Sequence, residues 1–295
     1  MSAADLVTIR DGGLTARIDP HGAELRHLSD AEGREYMTSG DPRWWAGHAP
    51  LLFPIVGALN GGIYRLGARE YALPKHGFAR TSRFEIADQT PNSVRFRLAD
   101  SETSRAVYPF TFALDAEFAL GGATLAVTAT IHNTGAGAMP FSFGFHPAFA
   151  WPVPDGGAKD AHRIVFARAE PEPVRRINLT SALLLPDPEP TPVRGRELAP
   201  DASMFAADAL IWDRLHSRSL RFAGETGAGL EIAFPDSPNL GVWQKPGAPF
   251  LAIEPWQGYN DPVGFTGDFR DKPGVVSLDP GSERRFRLRI TLDPA

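Results

Sequence analysis

Short runs in which apolar and polar residues alternate, or in which β-branched and aromatic residues dominate, recur between turn signals, and this period of two predicts strands. In the first half of the chain such runs cover 6–10, 15–19, 83–87, 93–98, 110–118 and 124–132. In the second half they cover 163–167, 209–212, 219–222, 229–234, 240–244, 250–254 and 286–292. At no point does the spacing turn helical. The pairs Gly12 and Gly13, Gly61 and Gly62, and Gly121 and Gly122 fall between strand candidates. Glycine reaches positive φ there without a Cβ clash, so each pair predicts a hairpin turn and the whole an antiparallel meander. The stretch 171–200 is dense in proline and charge, with Pro186, Pro188, Pro190 and Pro192 nearly alternating. Strand-like sequence of the same character flanks it on both sides, which predicts a long surface loop within one sandwich rather than an interdomain linker.

Composition sharpens this pattern. The 295 residues carry a length prior of about two domains, yet 29 glycines and 27 prolines work against long helices and favour many short elements. With 43% hydrophobic and 22% charged residues the chain can bury a large core. The expectation is one all-β domain over 1–295, an antiparallel β-sandwich. A net charge of −5 without a basic cluster argues against nucleic acid as a partner. No apolar run is long enough for a membrane-spanning helix, and residues 1–10 lack a basic stretch followed by an apolar one, so the expected location is the cytoplasm, with no membrane partner.

The absence of cysteine excludes thiolate nucleophiles and Cys-ligated zinc, leaving His, Asp and Glu as the available chemistry. Two of the eight histidines stand in unusual local sequence. His76 lies in a turn-like stretch between Pro74 and Gly77. His146 is surrounded by Phe141, Phe143, Phe145 and Phe149, and Pro147 forces it into an extended conformation. Such an apolar site favours a neutral ring able to give or take a proton near neutral pH. His21, His27, His132, His162 and His216 read as hydrogen-bonded or surface residues. His48, near Trp45, reads as either a pocket rim or a packed corner.

Glu254 closes the apolar run 250–254 ahead of Pro255 and Trp256. It is either an edge glutamate paired with an arginine or a general base at a strand end, beside Trp256 and Trp243. Aromatic platforms suit sugars, whose C–H faces stack on rings while hydroxyls find polar partners. Dinucleotide and phosphate-loop fingerprints, the His-Glu-x-x-His metal helix and the Gly-x-Ser-x-Gly elbow are all absent.

Six segments, in order, resemble the aldose 1-epimerase (galactose mutarotase) family and its shorter members: His21-Gly-Ala-Glu-Leu25, Ala49-Pro-Leu-Leu-Phe-Pro-Ile-Val-Gly57, Lys75-His-Gly-Phe-Ala-Arg80, Gly144-Phe-His-Pro-Ala-Phe149, Leu240-Gly-Val-Trp-Gln-Lys-Pro-Gly-Ala-Pro-Phe250 and Ile253-Glu-Pro-Trp256. The resemblance implies a β-supersandwich, a sugar substrate and no metal or organic cofactor. Carried over by motif, His146 is the general acid that protonates the ring oxygen and Glu254 the base that takes the C1 hydroxyl proton. His76 orients the sugar. Mutarotation needs one donor and one acceptor, expected on opposite sides of C1 and O5. Ala58 stands where the family commonly has an arginine after the glycine, which leaves Arg80 or Arg65 to contact substrate oxygens. Asp213 is the nearest match, by order along the chain, to the family's substrate-binding aspartate. Two other functions stay open: a hexose 6-phosphate 1-epimerase, with Lys75, Arg80 and Lys245 as its cations, and a non-catalytic sugar-binding module.

Overall fold

A computed structural model describes residues 6–293; Met1 to Asp5, part of the stretch read above for a secretory pattern, lie outside the described residues. Its largest unit is an antiparallel nine-stranded sheet, ordered Glu197–Leu198, Arg163–Phe166, Ser219–Ala223, Gly229–Ala233, Glu283–Asp293, Thr124–Asn133, Phe112–Gly121, Ser93–Ala99 and Glu85–Gln89. Period-two patterning shows most clearly in Thr124–Asn133, where every second side chain is buried. One face therefore meets the core and the other carries charge.

A second, six-stranded sheet packs on that inner face. Its order is Leu210–Trp212, Asn239–Trp243, Phe250–Gln257, Phe143–Phe145 and Leu51–Leu52, and Ala148–Ala150 also pairs with Phe250–Gln257. Ring contacts tie the layers: Phe143 stacks on Phe286 at 4.9 Å between centroids, and Phe166 meets Trp212 at 5.8 Å. One hydrophobic cluster draws on residues from Ile9 to Leu292, which gives the antiparallel β-supersandwich its common core. A three-stranded sheet, Val7–Asp11, Leu14–Asp19 and Glu24–Ser29, flanks it.

Four details depart from the sequence reading. A single helical turn, Glu102–Val107, forms where no helical spacing is visible, because Ser101 and Ser104 cap it reciprocally. Gly61 and Gly62 do not make a hairpin; they complete the 3₁₀ turn Asn60–Gly62 that leads into Ile63–Leu66. The 171–200 stretch is not simply a surface loop, since Val174, Ile177, Leu183, Leu184 and Val193 are buried and Val174 bridges Glu189. The strand expected to end at Glu254 continues to Gln257 and is paired on both sides.

Candidate active site

Phe250–Gln257 is buried at all eight positions, as expected for a strand covered on both faces. Opposite it, the chain forms two short strands, Phe143–Phe145 and Ala148–Ala150, separated by His146 and Pro147. Proline has no N–H for a ladder, which accounts for the break. The register is continuous across that break: Gly144 faces Trp256 and Ala148 faces Ala252, so His146 falls opposite Glu254. Pro255 falls opposite Phe145, just before the interruption, and pairs with Leu240 on its other side. His146 Nε2 is 3.0 Å from Glu254 Oε2, and both side chains are buried. The acid and base candidates thus touch each other instead of standing apart across an open space, and Glu254 pairs with a histidine, not an arginine.

His76 approaches the same point at right angles, 5.8 Å from His146 between ring centroids. Its backbone is left-handed, with φ 69°, held by the hydrogen bond from its N–H to the Gly57 carbonyl at 2.9 Å. Gly57 returns its own N–H to His76 Nδ1 at 3.1 Å. Because Nδ1 accepts, the ring proton sits on Nε2 and the imidazole is a donor into the cleft. Burial pushes the His76 pKa well below the usual histidine value, and the charges of His146, Lys75 and Arg80 push it the same way. His76 is therefore a neutral donor at neutral pH.

Above these three groups opens a cleft of about 250 Å³. Its walls include Trp45, Trp243 and Trp256, with Ile177, Ala209 and Ile211. Trp256 lies flat because its neighbours are glycines: a Cβ at Gly144 or at Gly241 would come within 2.5 Å of the indole. The Trp256 Nε1 is buried with no hydrogen-bond partner among the described residues.

Lys75, Arg80, Asp208 and Asn260 supply the remaining polar lining. Neither Lys75 nor Arg80 has a carboxylate partner among the described residues. Arg80 is the arginine that lines the cleft. Arg65 does not reach it and pairs with Glu70 at 2.7 Å. Lys245 also turns away, toward the Arg43 carbonyl at 3.3 Å. Asp213 is absent from the lining, bound instead to Arg175 at 3.0 Å. The aspartate that does line the cleft is Asp208, at φ 65°, whose Oδ1 accepts the Ala209 N–H at 2.7 Å. Its sequence signal was slight: aspartate is one of the few residues that tolerates a left-handed turn just before a strand.

His48 is a packed corner. Its ring covers Gly40, and its Nδ1 faces Arg26 at 2.9 Å. His162 spends both nitrogens on backbone, at Val153 N–H and the Ala158 carbonyl. His27 and His132 lie against Glu35 and Asp115. Among the described residues no three His, Asp or Glu side chains converge as a metal ion requires, and no helix is long and apolar enough to cross a membrane.

A family profile for aldose 1-epimerases matches residues 5–291. The plasmid-encoded protein LacX of Lactococcus lactis is 31% identical, with 97% of this chain and 99% of that protein covered. A galactose mutarotase related enzyme from Lactobacillus acidophilus superposes with a TM-score of 0.88 at 30% identity, over 98% of this chain and 97% of that one. A galactose mutarotase-like protein from Lactobacillus casei gives 0.90 at 29% identity, over 98% and 100%.

Proposed function

The chain belongs to the aldose 1-epimerase family, and on that premise we propose that it interconverts the α and β anomers of a hexose or related sugar without a cofactor. The observation that carries this reading is the contact of His146 with Glu254 at the floor of a tryptophan-walled cleft. In the proposed reaction Glu254, as the carboxylate, takes the proton of the C1 hydroxyl while His146, entering the step as the imidazolium, gives its Nε2 proton to the ring oxygen and is left neutral. The C1–O5 bond breaks, its electron pair goes to O5, and C1 becomes an aldehyde carbon. Rotation about C1–C2 turns the other carbonyl face toward O5. His146 then takes the O5 proton, Glu254 returns its proton to the carbonyl oxygen, and the opposite anomer leaves with both groups restored.

His76, as a neutral Nε2–H donor, orients a sugar oxygen and meets charge that develops on it. Arg80 takes the part of the arginine missing at Ala58, and Asp208 accepts from a sugar hydroxyl. Trp243 and Trp256 form the platform. Residues 1–295 act as one unit on this reading, a view supported by the core that joins Ile9 to Leu292. A free sugar as substrate accords with a cytoplasmic location.

Polarimetry or NMR exchange with freshly dissolved α-glucose and α-galactose tests the proposal. Each proton-transfer group contributes about 10²- to 10⁴-fold, so His146→Ala and Glu254→Gln should each lower kcat by that order while circular dichroism shows the β-fold retained. Turnover that survives both substitutions overturns the reading. Binding of sugar with no acceleration of exchange identifies a binding module.

One observation favours a second reading, a hexose 6-phosphate as substrate: Lys75 and Arg80 line the cleft without carboxylate partners. Comparing kcat/KM for glucose and glucose 6-phosphate, in the wild type and in Lys75→Met, decides between the two.

A further inference from the structure

His146 has one ring nitrogen on Glu254, while the other, Nδ1, is buried with no hydrogen-bond partner among the described residues. A histidine that works through one nitrogen is ordinarily oriented by a hydrogen bond on the other. That anchor is missing here, so packing has to set the angle of the imidazole. Three rings surround it. Trp243 and His76 meet it nearly edge-on, at 74° and 89° between planes. Trp45 alone lies along its face, with centroids 4.9 Å apart and planes 30° from parallel.

The geometry matters because rotation of the imidazole about its Cβ–Cγ bond is what carries Nε2 off Glu254. Such a rotation drives the ring edge into the indole that covers its face. Trp45 is itself firmly seated. The N–H groups of Trp44 and Trp45 both reach the Asp41 carbonyl at 2.9 Å, which closes the turn that presents the indole. The indole edges against Trp243 at 5.8 Å and meets Phe250 at 5.9 Å. Gly47 lets it lie close, since a Cβ at that position would fall 2.4 Å from the indole.

We propose that Trp45 is a positioning residue whose stack on His146 replaces the absent hydrogen bond at Nδ1 and holds Nε2 on Glu254. The proposal rests on the reading of His146 and Glu254 as the proton-transfer pair. It also defines the tautomer the ring adopts when it is neutral. The contact at 3.0 Å places a proton between Nε2 and the carboxylate, and a buried Nδ1 without an acceptor is left bare, because an orphaned N–H donor is the rarer arrangement in folded proteins.

The test combines ¹⁵N-histidine NMR of the sugar-free, full-length protein with anomer-exchange kinetics. Variants are Trp45→Leu, which removes the stack, Trp45→Phe, which keeps an aromatic face, and Gly47→Ala, which displaces the indole without deleting it. In the wild type, at a pH where the ring is neutral, His146 should show a single Nε2–H signature. Trp45→Leu and Gly47→Ala should broaden it or mix the tautomers, and lower kcat by about 10- to 100-fold with KM within about twofold, the scale expected for a small misplacement of a reacting group. Trp45→Phe should restore most of both. His76, anchored by Gly57, serves as an internal control whose signals stay fixed. Wild-type His146 signals in Trp45→Leu and Gly47→Ala, or a raised KM with unchanged kcat, overturn the proposal and make Trp45 a sugar platform instead. The NMR arm needs no turnover, so a protein inactive on every sugar sinks the mutarotase reading while the positioning role is still decided by the tautomer.

Discussion

The N–H of Gly57 donates to Nδ1 of His76 at 3.1 Å, and this single bond decides which nitrogen of the imidazole faces the cleft. Gly57 can do so because its φ of 77° turns the N–H toward the ring and because Asn260 lies against its bare Cα. A Cβ there would stand 2.3 Å from the Asn260 side chain. Gly57→Ala therefore combines left-handed strain, of order 1–3 kcal/mol, with displacement of two cleft residues. The expected outcome in urea unfolding is a loss of at least that size. Anomer exchange should fall about 10-fold or more in kcat/KM, because the His76 donor is no longer aimed.

Asp208 and Asp213 separate cleanly by experiment. Asp208 lines the cleft with one carboxylate oxygen held by the Ala209 N–H. A hydrogen bond from a ligand to a charged group contributes about 1.5–3 kcal/mol, so Asp208→Asn should raise KM by about 10-fold or more and change kcat less. Asp213 is engaged by Arg175, and Asp213→Asn should leave both constants within about twofold. Steady-state kinetics that show the reverse ranking restore Asp213 to the site.

Much of the fold is legible in the sequence wherever one face of a strand is wet. Ser93–Ala99, Thr124–Asn133 and Glu283–Asp293 alternate because their outer faces meet water, and period-two reading finds them within a few residues. Two-residue and three-residue strands such as Leu51–Leu52 and Phe143–Phe145 carry no period at all, being buried throughout. In the site, His146 and Glu254 are legible as chemistry in apolar surroundings. Their direct contact is not, because it depends on a register carried across the Pro147 break by two separate strands. Asp208 escapes for a related reason: its place is set by tertiary folding of the 171–209 segment, with Arg176 bonding the Met204 carbonyl at 2.9 Å. Order along the chain points to Asp213 instead.

Acid should weaken the fold in a window set by its buried histidines. Burial first, and then the charges of Arg26 and His27, lower the His48 pKa from 6.5 to about 4. His76 moves in the same direction. Between 6.5 and the lowered values the unfolded chain binds more protons than the folded one, so stability is full above 6.5 and declines as pH falls. The slope is at most about 1.4 kcal/mol per pH unit for each group. Carboxylates held down by arginines, such as Asp236 under Arg287, lose their contribution only below about 3.9, so the two windows separate. Urea midpoints should therefore drop from pH 6.5 to 4 in the wild type and drop less steeply in His48→Gln. A flat profile across that window contradicts the neutral, buried state of both rings.

Behind the cleft, Lys272 and Asp261 form a buried ion pair at 3.0 Å that is poorly aligned for a hydrogen bond. Burial pushes the Lys272 ammonium below its ordinary value, and the Asp261 carboxylate opposes that shift. Asp261 does more than neutralise it. Its Oδ2 accepts the Asn60 N–H at 2.8 Å, its N–H reaches the Ala58 carbonyl at 2.9 Å, and its carbonyl receives Leu184 at 2.8 Å. The pair thus pins three segments beside Asn260, which lines the cleft. Lys272→Met strands an unpaired buried carboxylate and should cost about 3–5 kcal/mol in urea unfolding. Adding Asp261→Asn removes that charge while keeping an acceptor for Asn60, so the double variant should regain a large part of the loss. If both single variants and the double lose equal stability, the pair acts through packing alone and its charges contribute nothing to holding Asn260 in place.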